Sequence, residues 1–478
     1  MALEQSYRPD PKILELEEGF FDAVDAADFP QCKARFLNWR AAQTVGLGAL
    51  TEGEWTAHFC RFEPLPDNLS KPLALRYHGH QFRVYNPDIG DGRGFLFAQL
   101  RESLDGRPHP NQPRGDGSRL LDLGTKGSGQ TPYSRTADGR LTLKGGFREV
   151  LATEMLEALR VNTSKSFALF ETGEELVRGD EPSPTRSAVL TRLSHGHIRI
   201  GTFQRHAFYK DADALDQLVR YCLQHLYDEK PGEEVSENAV RLFALVSERT
   251  AELAASYMTA GFVHGVLNSD NINVTGESFD YGPWRFTPYW DGEFTAAYFD
   301  HFGLYSFARQ PEAINWDLAQ LAGCLSLVTE APALADLLSD WGNRFEEHLV
   351  AKLLWRLGVG AGDAVADHEL AKVLVEALGS KTATIDAVFY DWRGGCDPGA
   401  EKYPQEPFRK LASLLAGRER ALRHPYWSDA APCSMHIEEV EAIWDAIATG
   451  DDWSPFEAKI AAVRRMGEAL AEDGPAST

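Results

Sequence analysis

The sequence predicts an α+β chain in two lobes, a β-rich N-terminal lobe followed by a helical C-terminal lobe that carries a further helical extension. Three observations predict it. Residues 73–126 alternate short apolar runs with Gly and Pro, the punctuation of strands. From about residue 205 onward, apolar positions recur at helical spacing. A hydrophobic fraction of 43% with 11 Trp over 478 residues supplies more apolar surface than one small core needs. We divide the chain into an N-terminal extension (1–60), a β-rich N-lobe (61–204), a helical C-lobe (205–410) and a helical C-terminal extension (411–478).

In chain order, the first 60 or so residues carry no motif with an evident chemistry. GFLFAQL (94–100) and LLDLGTK (120–126) read as strands. Between them DGRPHPNQPRGDGSR (105–119) is rich in turn residues and charge, and is expected to be an exposed hairpin loop. FREVLATEMLEALR (147–160) places Phe147, Val150, Leu151, Met155, Ala158 and Leu159 on one helical face. Strand-like sequence then resumes and ends at SAVLTRLS (187–194). DADALDQLVRYCLQHLY (211–227) forms a stripe of Leu215, Leu218, Val219, Cys222, Leu223 and Leu226. A second long helix, 237–260, is predicted to close at Gly261 as its C-cap. Ser454, Pro455 and Glu457 read as a capping box opening a late helix. A β lobe preceding a helical lobe is the order of a protein-kinase-like bilobal fold, and of many other α+β proteins.

Charge and cysteine usage narrow the partners. Lys plus Arg total 48 against 71 Asp plus Glu, a net charge of −23. That excess repels phosphate backbones and anionic lipid, so nucleic-acid and membrane binding are not expected. An anionic ligand requires its own local cluster of cations. Cys32, Cys60, Cys222, Cys324, Cys396 and Cys433 are scattered, with no zinc spacing, and read as buried reduced thiols. With no basic segment leading an apolar run, and no run of membrane-spanning length, a cytoplasmic enzyme is expected.

Four stretches carry chemistry. In FVHGVLNSDNINVTGESFDYGP (262–283), Asn271 and Asp280, the latter followed by Tyr and Gly, match the pattern by which kinases hold the metal bridging ATP phosphates. Two oxygen ligands of this kind suit Mg²⁺ or Mn²⁺. The same residues would also serve a plain hairpin turn. Small-molecule phosphotransferases commonly place an Asp after His-Gly here as the acceptor's base. This chain has His264-Gly265-Val266, and valine cannot accept a proton. Asp270 is the nearest alternative base. In LGTKGSGQTPYSRTADGR and LKGGFREV, Lys126 closes a strand and Glu149 lies early in the following helix. That is the order of an ion pair that holds ATP phosphates. Gly127, Gly129 and Gly139 nearby let backbone approach phosphate. GDGRG (90–94) offers a short Gly-rich turn with Arg93, although GDG is also an ordinary turn. Finally LTRLSHGHIRIGTFQ sets Arg192 and Arg199 in an apolar, Gly-containing stretch, where a phosphate or a surface carboxylate would each be a fitting partner.

Together these stretches resemble the selenoprotein O family of kinase-like protein adenylyltransferases. The resemblance runs from YHGHQF (77–82) through GDGRG, KGSGQTPYSRTADGR, REV, LTRL, SHGHIRIGTF, GFVHGVLNSDN and FDYGP to YSFARQPEAINWDLAQLA (305–322). It implies ATP bound in an inverted sense, with the α-phosphate facing a hydroxyl of a protein acceptor. It further implies that Lys126, paired with Glu149, grips the departing phosphates together with Arg192 and Arg199. Gly90, Gly92, Arg93, Asp138 and Gly139 match nucleotide contacts, Asp270 the general base, and Asn271 and Asp280 the metal ligands. An inverted nucleotide accounts for Val266, because the usual base would face the wrong phosphate. Phosphoryl transfer and a catalytically silent nucleotide-binding scaffold remain the alternative readings. Lys144-Gly145-Gly146 and the last 80 or so residues depart from the family pattern.

Overall fold

A computed structural model describes residues 4–103, 118–179 and 181–474. The predicted hairpin loop 105–119 lies almost wholly outside the described residues, which resume at Ser118. The molecule combines one large antiparallel sheet with an array of helices. The sheet takes β1 (Phe21–Ala23), β2 (Lys33–Leu37), β3 (Leu73–Leu75), β6 (Leu96–Arg101), β7 (Leu120–Lys126), β8 (Leu141–Thr142), β9 (Lys165–Leu176) and β10 (Thr185–Ser194). Its order is β1-β3-β6-β7-β10-β9-β2, with β8 added against β10. The short hairpin of β4 (Gly79–Gln81) and β5 (Val84–Asn86) stands apart from it. Residues before position 60 thus supply both outer strands.

Central strands β6, β7 and β10 are buried along almost their whole length. One sheet face packs on an aromatic core of Trp55, Phe59, Phe97 and Phe167. On the other face lies the helix Leu143–Ala158, whose predicted apolar stripe is wholly buried. Glu149, Thr153 and Glu154 on its remaining faces are buried too. The reason is a second cover, because the C-terminal helices Ile437–Gly450 and Ser454–Glu472 pack over it. Phe147 meets Trp444 and Phe456 at ring separations of 5.6 and 5.4 Å, and Arg464 grips Glu154 with two bonds of 2.7 Å.

The helical part begins slightly earlier than predicted, with the helix Ile200–Phe208. The helix Ala212–Tyr221 continues through a π-helical turn, Cys222–Leu226, and its stripe is buried. The helix Val235–Ala260 ends at Gly261, which takes φ 68° as a left-handed cap. Two expectations need correction. The helix at Ser454 has no capping box: Trp453 is its N-cap, and Ser454 is already helical, its amide and hydroxyl both bonded to Asp452. The cysteines are not all reduced, since Cys32 and Cys60 are paired in a disulfide and Cys396 is exposed. Their separation of 28 residues hid the contact, which strand β2 and the helix Glu52–Phe59 create in space. Cysteine usage therefore gives no argument for a reducing compartment. Among the described residues no helix is long and apolar enough to cross a membrane.

Candidate active site

The site forms where the end of β7 meets the loop spanning 264–284, itself closed by the two-stranded ladder of β11 (Phe262–Val263) and β12 (Arg285–Phe286). Lys126, the last residue of β7, is buried and cannot be left unpaired there without a large cost. Its amine lies 2.7 Å from Glu149 Oε2 and 2.8 Å from Asp280 Oδ1, and donates to the Tyr281 carbonyl at 3.4 Å. Arg192, on the adjacent strand β10, reaches the same two carboxylates at 3.3 and 3.4 Å. Sheet pairing explains this, because β10 runs antiparallel to β7 with Arg192 opposite Gly124. Lys126, Glu149, Arg192 and Asp280 therefore form one buried cluster built from both halves of the chain.

Asp280 holds φ at 60°, a backbone state few non-glycine residues adopt. Burial alone would raise its pKa. The charges of Lys126, Arg192 and Arg93 overrule burial and hold the carboxyl well below its usual range. Arg93 is exposed, makes no ion pair among the described residues, and is thus a free cation at the rim. Its carbonyl accepts from the Gly127 and Ser128 amides, so the GDGRG turn rests on the backbone just beyond Lys126. Gly90 and Gly92 lie in that turn against Tyr133, where a Cβ at Gly90 would come within 2.5 Å of the Tyr133 ring. Gly139 sits across from Gly129, whose amide donates to its carbonyl at 3.2 Å. Asp138 departs from this grouping of inward-facing charges. It is half exposed, and Arg178 holds both of its oxygens at 2.8 and 3.0 Å.

Arg199 occupies a second subsite. Its guanidinium stacks 4.1 Å over the ring of Tyr77 and 4.8 Å from that of Phe279. It donates to the Asp270 carbonyl at 2.9 Å and lies 3.5 Å from Asp91 Oδ1. Between the two arginines, His195 carries no charge at neutral pH, because burial pushes its pKa down to about 3. Asp270 is buried, and its Oδ1 has no hydrogen-bond partner. Burial pushes its pKa up to about 6, against the pull of Arg199 and with the help of Asp280. Gly79 closes over it so tightly that a Cβ there would lie 2.8 Å from that same oxygen.

Asn271 follows in the same short 3₁₀ turn, and its Nδ2 donates to the Val266 carbonyl at 2.8 Å. That bond turns the amide oxygen the other way, where it accepts nothing among the described residues. Asp280 meets its cations through Oδ1, and its side chain keeps 30% of its surface open. Two hard oxygen donors with spare capacity fit Mg²⁺ or Mn²⁺ when phosphate and water supply the other ligands. Among the described residues no group of three or more His, Cys, Asp or Glu could hold an ion unaided, so the fit depends on those phosphates.

Several contributing residues escaped the motif reading. YHGHQF supplies Tyr77 beneath Arg199, Gly79 against Asp270, and the amides of His80 and Phe82, which donate to Ser269 Oγ and Asn268 Oδ1. The signal was available as a compact aromatic-Gly motif, but nothing in its composition named a partner some 190 residues away.

Comparison with known proteins places the chain in a family. Residues 2–406 match the family model described as protein adenylyltransferase SelO. A protein nucleotidyltransferase YdiU of Gloeobacter violaceus is 42% identical over 95% of both chains. Its counterpart from Synechococcus elongatus is 38% identical over 97% of this chain and 96% of its own. One from Synechocystis is 39% identical over 94% and 96%. With a family model matched over residues 2–406 and relatives of that identity and coverage, the chain belongs to the SelO family of protein adenylyltransferases.

Proposed function

We propose that this nucleotidyltransferase binds ATP in the cleft between a kinase-like N-lobe (61–204) and C-lobe (205–410), with the α-phosphate turned toward Asp270. It then moves AMP onto Ser, Thr or Tyr hydroxyls of proteins. The observation that carries the reading is the Lys126 amine held within 2.8 Å of both Glu149 and Asp280, three residues far apart in sequence. In this reading the acceptor hydroxyl attacks the α-phosphorus and Asp270 takes its proton. A carboxylate titrating near 6 is ionised at neutral pH and still basic enough to accept that proton. The bond from the α-phosphorus to the bridging oxygen breaks, and pyrophosphate leaves. Lys126, Arg192 and Arg93 meet the developing charge, while Glu149 fixes the lysine and Arg199 braces the Asp270 loop through its carbonyl. Asn271 and Asp280 would hold Mg²⁺ or Mn²⁺, which when bound neutralises phosphate oxygens as a Lewis acid. Val266 offers no proton acceptor beside them, which supports adenylyl over phosphoryl transfer.

The test uses two batches of ATP, labelled at the α- or the γ-phosphate, with Mg²⁺ or Mn²⁺ and a protein acceptor weighed by mass spectrometry. Gain of one AMP, with label only from the α-position, is expected. Gain of a phosphoryl group with γ-label would establish a kinase, and gain of nothing a silent scaffold. Running UTP in parallel decides whether uridylyl transfer accompanies adenylyl transfer.

A further inference from the structure

The loop that packs on the Asp270 segment through Tyr305 presents exposed aromatic side chains. Phe302 is 93% exposed, Tyr298 77% and Phe299 41%, and Val84 on the facing hairpin tip is 70% exposed. Burying any of these would stabilise the chain, at about 25 cal/mol per Å² of apolar surface. Their exposure is instead enforced by a well-bonded loop. Phe307 N donates to the Phe294 carbonyl at 2.9 Å, Ala308 N to Gly292 at 3.0 Å, and Asp300 receives the amides of Leu304 and Tyr305 at 2.9 and 2.8 Å. A loop held this firmly displays its aromatics.

Both lips of this patch are fastened to the loop that carries Asp270. Asn268 Oδ1 receives the Phe82 amide at 3.0 Å from the hairpin side and the Tyr305 hydroxyl at 2.7 Å from the aromatic loop. Phe82 bridges them, with ring separations of 5.9 Å to Phe299 and 5.0 Å to Tyr305. Phe82 and Arg83, at φ 51° and 61°, force the hairpin tip into the tight turn that presents Val84. The patch is therefore bonded to the loop that carries Asp270.

Charge selects the occupant. Arg83 and Arg309 share the single carboxylate of Glu312, at 2.8 and 3.1 Å, which leaves one net positive charge there. Glu293 and Asp88 nearby have no ion pair among the described residues, on a chain of net charge −23. That balance attracts a basic segment and disfavours an anionic membrane surface.

Resting on the adenylyl-transfer reading above, we infer that Phe82, Val84, Tyr298, Phe299 and Phe302 form the docking surface for the protein acceptor. It takes a polypeptide segment in which the modified hydroxyl is flanked by apolar and basic side chains.

The experiment uses the full chain, ATP labelled at the α-phosphate, and an oriented library of peptides with one Ser, Thr or Tyr acceptor. Flanks are either Leu, Phe and Lys, or Gly and Glu. Wild type should favour the apolar-basic flanks by about tenfold in kcat/KM, an energy of about 1.4 kcal/mol. The combined variant Tyr298→Ser, Phe299→Ser, Phe302→Ser should lose that preference through KM, with unchanged ATP affinity. Phe302→Ser alone, at the most exposed position, should lose part of it with an unchanged melting temperature. Equal use of both flank classes by wild type, or wild-type selectivity in the combined variant, overturns the inference. So does vesicle binding, or dimerisation in sedimentation, that the combined variant abolishes. Wild type that transfers label to no peptide and no protein instead takes down the adenylyl-transfer reading, and this inference with it.

Discussion

Two networks of charge hold this molecule together, and they are built to different standards. One is the active-site cluster of Lys126, Glu149, Arg192 and Asp280, with Arg199 and Asp270 beside it. The other clasps the C-terminal extension to the sheet: Arg35 and Arg186 both bond Glu171 and Asp451, and Lys33 and the Trp453 indole add to Asp451. Among the described residues, no buried polar atom of the clasp lacks a partner. In the site, Arg192 Nε, Arg199 Nε and Asp270 Oδ1 are buried and have none. Leaving such atoms unpaired costs roughly 1–3 kcal/mol each. The clasp is completed by protein atoms and acts as a fastener, whereas the site keeps charged atoms open to a ligand.

The largest effect should come from the shared centre of the open network. Lys126→Ala removes the group that touches both Glu149 and Asp280, and activity should fall by about 10²–10³ or more. Arg192 still contacts both carboxylates, so circular dichroism should report an intact fold. Unfolding of this variant would make the cluster a fastener after all. Asp280→Ala should abolish metal-dependent nucleotide binding together with activity, and unchanged nucleotide affinity would remove Asp280 from the site.

Asp270→Asn is next. It keeps the side chain's size beneath Gly79 but cannot take a proton, so kcat should fall by about 10²–10⁴ while the ATP dissociation constant holds. If ATP affinity falls in step with kcat, Asp270 belongs to the binding network and the base lies elsewhere.

How much of this contrast was legible beforehand depended on reach along the chain. Lys126, Glu149, Asn271 and Asp280 were readable because each sits in a short motif whose residue types already imply phosphate and metal chemistry. The central strands and long helices were readable from their periodicity. Gly79 was not, because its role exists only once Asp270 is folded against it. Nor was the Cys32–Cys60 pair, or the clasp at Asp451, whose partners lie more than 250 residues earlier. Asp138 was given as a nucleotide contact only by the family resemblance, and its bond to Arg178 lay beyond any local pattern. Local pattern reports what a residue can do, and packing decides which neighbour it does it to.

Glu277 sharpens the comparison through pH. It is buried, accepts the His195 amide at 2.8 Å, and lies outside both networks. Burial pushes its pKa up to about 7 from an ordinary 4.5, with Arg119 opposing. The folded state therefore keeps a proton that the unfolded chain has already lost. Stability from this group is complete below about pH 4.5, declines as pH rises, and is gone above about 7. Glu277→Gln removes the dependence. Its unfolding free energy should match wild type at pH 5 and exceed it at pH 8, by an amount of order 1–3 kcal/mol. A constant difference across that range would mean that Glu277 ionises as freely in the fold as outside it.

The smallest effect tests the closed network. Asp451 accepts charge from three cations at the left-handed end of the helix Ile437–Gly450, and those cations hold its pKa far below the ordinary range despite the opposing effect of burial. Its side chain is 43% exposed, so solvent screens much of that attraction. Asparagine tolerates the same backbone state and keeps the hydrogen-bond acceptor, leaving only the charge to lose. Asp451→Asn should cost about 1 kcal/mol in denaturant unfolding and leave kcat and KM for ATP unchanged. The clasp reaches the helix that carries Glu149 through Phe147, Glu154, Lys144 and Arg148, each with a partner in the extension. A variant that loses kcat without losing stability would break the distinction, because the fastener would then be setting the position of Glu149.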